Sequence, residues 1–174
     1  MQKPDSLRCH LLAAIPGLAR NPDRLLVFVD NGTIRSTAAH GLSFEYGYTL
    51  NVTLTDFAGD PDAVFVALLA WLLVNQNELL ANLETGKDAI KFEADILNGS
   101  TVDLSIKIPL TERVIVRKQP DDTLQISHPP EPVFTEQYPA GHWQLFGGDQ
   151  LLAEWDSAAP TGADLGTPQV TSHG

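Results

Sequence analysis

The first apolar pattern along the chain is typical of a helix near the N-terminus. We expect this helix to run to about Leu18, with a cap from Ser6 or Asp5 and a kink at Pro16. Its apolar face recurs at spacings of four, four and three residues, namely Leu7, Leu11, Ile15 and Leu18. The Asn21-Pro22-Asp23 sequence then changes the direction of the chain.

A second helix is predicted after Asp60, because an acidic residue followed by proline is typical of a helix start. Residues 63–74 (AVFVALLAWLLV) are apolar on nearly every side. The segment is too short to cross a bilayer, which needs about 20 apolar residues. An amphipathic surface helix buries only one apolar stripe. This helix must therefore pack against other elements on more than one side. Either the first helix or another subunit provides that cover.

Alternating apolar and polar residues predict the strands of an antiparallel sheet. Residues 25–30 are followed by Asn31-Gly32, a strong hairpin signal, so we expect a returning strand over residues 33–37. A longer strand follows over residues 42–57, in which Gly47 indicates a bulge or a close backbone approach.

Two more strand pairs follow the second helix. Residues 90–97 and 102–110 are joined at Asn98-Gly99-Ser100, and residues 113–118 and 123–127 are joined around Pro120-Asp121-Asp122. In the first pair, Glu93 and Asp95 are expected on the solvent face. Residues 1–127 therefore form an α+β domain, with a mainly antiparallel sheet and two helices packed on one face.

The remainder is expected to form three shorter segments. Residues 128–141 contain four prolines and predict a stiff connector. Residues 142–156 predict a β-hairpin arm that carries Trp143, Phe146 and Trp155. Because an isolated hairpin is marginal in water, the arm docks either on its own domain or on a neighbouring subunit. Residues 157–174 are small, polar and rich in Pro and Gly, which predicts disorder.

Charge and cysteine content narrow the functional classes. The 174 residues include 22 acidic and 11 basic ones, for a net charge of −11, which disfavours binding to a phosphate backbone. We therefore expect no sequence-specific nucleic-acid partner. The single cysteine, Cys9, permits no internal disulfide. Asp5 and the Pro16-Gly17 interruption favour a capped helix over a signal peptide, and we expect no membrane partner.

The sequence carries no pattern that predicts catalysis. It has no phosphate-binding glycine loop and no nucleophile elbow, and its five histidines are widely separated. Asp56, Asp60 and Asp62 resemble an oxygen-ligand cation site, but helix capping explains them more simply. We therefore assign no catalytic, cofactor or metal residues and expect no enzyme and no cofactor.

A long series of segments falls in a familiar order over residues 1–118. It includes Lys3-Pro4-Asp5-Ser6-Leu7-Arg8, Phe28-Val29-Asp30-Asn31-Gly32, Tyr48-Thr49-Leu50-Asn51-Val52, Leu69-Ala70-Trp71-Leu72 and Leu110-Thr111-Glu112-Arg113. On these segments the chain resembles the tail completion protein R (GpR) family of contractile-tailed temperate phages, and the later hairpin matches more loosely.

The resemblance implies a structural virion protein that completes the tail at the head–tail junction. By similarity to tail terminators, it implies a homo-oligomeric, hexameric ring that caps the tail tube and is assembled in the host cytoplasm. The expected partners are further copies of the chain, tail tube and sheath proteins, and head–tail connector proteins. A head–tail connector or adaptor subunit is the alternative, and an accessory hydrolase is a more distant one.

Six apolar residues are predicted to form subunit or partner contacts. Those on the second helix are predicted to pack either in the core of the domain or against another subunit. Those on the arm are predicted to contact a neighbour. They are Phe65, Leu69 and Trp71 on the helix, and Trp143, Phe146 and Trp155 on the arm.

Overall fold

Antiparallel strands form the main sheet of the fold. The computed structural model describes residues 1–36, 41–81, 86–97, 99–133, 140–159 and 161–162. The strands are β1 (Leu25–Ser36), β2 (Phe44–Phe57), β3 (Lys91–Leu97), β4 (Thr101–Lys118), β5 (Leu124–Ser127), β6 (Gly141–Gly147) and β7 (Gln150–Ser157). The order in the main sheet is β1-β2-β4-β3, and β5 extends the sheet by pairing with β4. The helices are α1 (Lys3–Ala14), α2 (Pro16–Arg20), a 3₁₀ turn (Pro22–Arg24), α3 (Pro61–Asn75) and α4 (Glu78–Ala81). The α+β class and the mainly antiparallel sheet are confirmed.

The core lies between the sheet and the helices. The alternation in β2 places Leu50, Val52 and Leu54 fully inside, as the pattern predicts. Their cross-strand partners on β4, including Leu104 and Ile106, are equally buried. This face of the sheet supports α1 and α3.

The predicted hairpin turn at Asn31-Gly32 is wrong. β1 continues through both residues, and its register shifts between Asp30, which pairs with Thr49, and Thr33, which pairs with Gly47. One extra residue is therefore accommodated in a β-bulge, and Asn31 adopts a positive φ of 52°. Gly47, where the sequence predicts a bulge or a close backbone approach, pairs with Thr33 at the end of the β1 bulge, and its carbonyl accepts from Thr33 Oγ1 at 3.1 Å. Residue 37, the predicted end of the returning strand, lies outside the described residues.

β4 is one strand of 18 residues, whereas the sequence pattern predicts two separate strands there. The prediction ended the first strand before Glu112, a charged residue at an inward-facing position. The strand continues because distant backbone and side-chain donors satisfy this buried carboxylate.

The first helix begins earlier and ends earlier than predicted. It starts at Lys3, and neither Ser6 nor Asp5 caps it. Ile15 is extended, with φ −113° and ψ 107°, so the helix breaks before Pro16 instead of bending. The cause is the steric conflict of a proline ring with a helical preceding residue. All four predicted apolar-face residues are nevertheless buried.

The second helix, α3, starts as predicted, with Asp60 Oδ1 accepting from the Asp62 N–H at 2.9 Å. α1 covers one side of it, where His10 Nε2 lies 3.0 Å from the Ala67 carbonyl. The hairpin of β6 and β7 packs on α1 and α3 of its own chain, and Ala153 is fully buried there. Of the two alternatives for the arm, this structure adopts docking on the chain's own domain.

Candidate functional site

A gap along one edge of β4 is filled by polar side chains. β3 pairs with β4 up to Lys107, and β5 pairs with it from Ile115. Between them, the Thr111 N–H donates to Gln76 Oε1 at 3.1 Å, and the Thr111 carbonyl accepts from Lys3 Nζ at 2.7 Å. These side chains therefore satisfy the strand edge where no neighbouring strand does.

Lys3 connects this edge to the start of the connector. Its Nζ also donates to Gln76 Oε1 at 2.7 Å and forms an ion pair with Glu131 Oε1 at 2.9 Å. Burial lowers the pKa of Lys3, although the hydrogen bond and charge of Glu131 oppose that shift. A largely desolvated ion pair thus joins the first turn of α1 to the residues that lead towards the arm.

Glu112 occupies the centre of the same network and exposes only 4% of its surface. Its carboxylate accepts from the backbone N–H groups of Gln2, at 2.7 Å, and Lys3, at 3.3 Å. It therefore caps α1, since these N–H groups belong to the unpaired first turn. Tyr48 donates its hydroxyl to the same carboxylate, and burial followed by this hydrogen bond raises the pKa of Tyr48.

A cavity of about 240 Å³ opens beside the network. It is lined by the charged groups just described together with His128, whose Nδ1 lies 3.9 Å from Glu112 Oε2. Within the described ranges, no three His, Cys, Asp or Glu side chains are arranged to hold a metal ion. The carboxylates are instead used to cap a helix and to pair with a lysine, which fastens the N-terminus and connector to the sheet.

An apolar surface lies at the other end of the sheet, where α3 meets β3. We call it the α3–β3 surface and define it by Phe65, Leu69, Phe92 and Ile96. Leu69, Phe92 and Ile96 are 41%, 59% and 83% exposed. The rings of Phe65 and Phe92 touch edge to face, with centroids 5.0 Å apart, so the helix and strand contributions are continuous.

The predicted contact residues fall into two environments. Phe65 and Leu69 belong to the α3–β3 surface, and Phe146 is 54% exposed on the arm. Trp71 is buried and donates from Nε1 to Ser6 Oγ at 3.1 Å, so it packs within the chain. Trp143 and Trp155 are half-buried on the docked arm, where Trp155 packs against the core. Subunit contact by these residues stays a prediction.

Sequence reasoning missed Phe92 and Ile96 as contact candidates. Their alternation with Glu93 and Asp95 was visible, but it was interpreted as one solvent face opposite a buried face. In the structure residues 91–96 of β3 are exposed on both faces, although Phe92 touches Phe65 of α3. The useful signal was the position of β3 at a sheet edge, which periodicity alone does not give.

In the described part of the chain, no helix is both long and apolar enough to cross a membrane.

Comparison with known proteins gives one consistent result. Residues 1–132 match the family described as P2 phage tail completion protein R (GpR). The chain is also 45% identical over 161 residues to the protein named tail completion protein R of Escherichia phage P2, covering 90% of this chain and 99% of the phage protein. No solved structure matches the chain.

Proposed function

The chain belongs to the P2 phage tail completion protein R (GpR) family, and we propose that it performs tail completion as a ring that caps the tail tube. Its role as a structural component of a bacteriophage tail follows from the family. The proposal adds the ring, in which the subunit covers the last ring of the tube, stops its growth and presents a new face to the head.

The exposed α3–β3 surface is the observation that carries this proposal. Phe92 and Ile96 present large apolar side chains to solvent on an edge strand, next to the exposed Leu69 of α3. Clusters of this kind are typical of protein–protein contacts. A ring of identical subunits needs two different patches per subunit, one for each neighbour. The α3–β3 surface supplies one of them.

The partners follow from this position at the end of the tail. Copies of the chain form the ring, as a hexamer; tail tube and sheath proteins lie on one side, and head–tail connector proteins lie on the other. The protein is placed at the head–tail junction of the virion after assembly in the host cytoplasm. The structural role of the family supports a non-enzymatic function. The buried charges of Lys3, Glu112 and Glu131 join the N-terminus and the connector to the sheet.

Electron microscopy of an induced lysate that lacks the gene tests the proposal. We expect overlong or headless tails beside filled heads, since nothing would stop the tube or prepare its end for a head. Tails of normal length that fail to bind heads would favour a connector or adaptor subunit instead. Normal infectious particles would contradict both roles.

A further inference from the structure

The main sheet and its extension present three outer strands, and these differ in how well they could pair with another chain. Unpaired strand edges are templates for further pairing unless a bulge, a charge or a cover protects them. β1 carries the bulge at Asn31-Gly32, which interrupts its register. β3 and β5 pair with β4 without any register shift. The two regular outer strands are therefore the better candidates for contact between chains.

β3 has an exposed apolar face and an acidic face. Phe92 and Ile96 lie on the face that bears the helices, whereas Glu93 and Asp95 lie on the other. Asp95 is directly opposite Asp103 of β4, and like charges at such a position repel each other. Asp95 forms no salt bridge with a described residue. Glu93 is paired with Lys107 at 3.9 Å and Lys91 lies on the same face, so Asp95 is the acidic residue of β3 that a positively charged partner would stabilise.

β5 has the matching pattern. Leu124 and Ile126 are 57% and 64% exposed, and they share a face with Val116 of β4. On the opposite face, Gln125 pairs with Arg117, an exposed residue that has no salt bridge with a described residue. Lys118 at the same end is paired with Asp122 at 2.5 Å, so Arg117 is the residue that adds unpaired positive charge to the β4–β5 end.

β3 and β5 lie along the same edge of β4. The Val116 N–H donates to Ser43 Oγ, next to the start of β2, at 3.0 Å. β5 must therefore pair on the side of β4 that faces away from β2, which is also the side of β3. The polar network at Thr111 separates the two strands.

We propose that β3 of one copy pairs with β5 of a second copy, so that the main sheet continues from subunit to subunit. This pairing would satisfy the free backbone groups of both edges. It would join Phe92 and Ile96 to Leu124 and Ile126 in one apolar face. It would also place Asp95 and Arg117 on the same polar face, with β5 between them. The inference rests on the proposed ring and identifies its two contact patches.

The charge pattern favours a second copy as the occupant. The β3 edge leaves Asp95 without a cation among the described residues, and the β4–β5 end supplies Arg117 beside an exposed apolar face. Because the two patches differ, β3 of each copy binds one neighbour and β5 binds the other. Contacts of this kind form a closed ring when the rotation between adjacent subunits brings the last copy back to the first.

Analytical ultracentrifugation of the full-length chain and three variants tests the pairing. Ile96→Glu and Ile126→Glu each place a charge in the proposed contact. Ile34→Glu serves as the matched control, since Ile34 of β1 is 68% exposed, between Ile126 at 64% and Ile96 at 83%. We expect an oligomer larger than a dimer for the wild type and for Ile34→Glu. The other two variants should associate more than about a hundredfold more weakly. Mixing those two should give a one-to-one dimer, because one intact β3 and one intact β5 remain.

A charge exchange provides a second test on exposed side chains. Asp95→Arg and Arg117→Asp should each weaken association, and the double variant in one chain should restore it. Oligomers that survive Ile96→Glu and Ile126→Glu, or that Ile34→Glu disrupts equally, would overturn the pairing and leave the ring in place. The two edges would then be free for other tail proteins. A wild type that stays monomeric at every concentration would overturn both the pairing and the ring.

Discussion

Glu112 joins two parts of the chain that are 110 residues apart, because its carboxylate accepts from the Gln2 N–H at the start of α1. Replacing it with glutamine removes the charge that this helix terminus favours and disturbs the hydrogen bond from Tyr48. We expect Glu112→Gln to lower the free energy of unfolding by about 2–4 kcal/mol.

Urea denaturation measures this change. Glu45→Gln is the control, since Glu45 pairs with the exposed Arg35 on the neighbouring strand and should contribute less than about 1 kcal/mol. Equal effects of the two substitutions would contradict a special role for the buried carboxylate.

His10 should make stability depend on pH. Burial lowers its pKa below the ordinary value of 6.5, against the hydrogen bond to the Ala67 carbonyl. The unfolded chain therefore binds a proton near pH 6.5 that the folded chain takes up only at lower pH. Stability should fall as pH drops from about 7 to 5.

Thermal unfolding at several pH values tests this sign. His10→Gln keeps a donor for Ala67 but does not titrate, so its loss of Tm over that range should be smaller than that of the wild type. A loss as large as that of the wild type would assign the pH dependence to other groups.

At the scale of residues, local pattern predicted the buried side chains of α1 and β2, but neither the exposure of Phe92 and Ile96 on β3 nor which polar groups meet. Leu7, Leu11 and the alternating residues of β2 were assigned correctly, because periodicity alone decides their faces. The cap of α1 was assigned wrongly. Ser6 was the nearest suitable residue in the sequence, whereas the capping carboxylate belongs to Glu112 on a distant strand. Long-range contacts of this kind leave no signal in a local window.

At the scale of elements, the arm offers a direct comparison between a docked and an exposed aromatic residue. Trp155 packs against the core beside α1 and α3, whereas Phe146 is mostly exposed on the same hairpin. We expect Trp155→Ala to lower the free energy of unfolding by about 2–3 kcal/mol. Phe146→Ala should change it by less than about 0.5 kcal/mol.

Chemical denaturation of both variants, followed through far-UV circular dichroism, checks the difference. A stable Trp155→Ala chain would mean that the arm contributes little to its own domain. That result would instead support the sequence-based expectation that the arm contacts a neighbour.

Element types were easier to predict than element lengths. The start of α3 at Asp60-Pro61 follows from capping and backbone geometry that are local to those residues. The continuation of β1 through Asn31-Gly32 cannot be predicted from local sequence, because the same dipeptide is compatible with a hairpin turn and with a bulge. Pairing with β2 on both sides of the dipeptide decides between them, and that pairing is a tertiary property.

At the scale of the whole molecule, the net charge of −11 bears on assembly. Copies packed into a ring repel one another, and this repulsion extends about 30 Å at 0.01 M ionic strength but only about 8 Å at 0.15 M. The contact of β3 with β5 is mainly apolar, so salt should weaken the repulsion more than it weakens the local attraction of Asp95 to Arg117. We therefore expect self-association to strengthen as sodium chloride rises over this range, measured by sedimentation.

The Ile96→Glu variant distinguishes this effect from general salting-out. It keeps nearly the same surface but lacks an intact β3 contact, so it should remain monomeric at both salt concentrations. If wild-type association weakens with salt instead, the attraction between Asp95 of β3 and Arg117 of β4 outweighs the repulsion between whole subunits. The charge-exchanged double variant should then show the same salt dependence as the wild type, because its attraction is restored with the signs reversed.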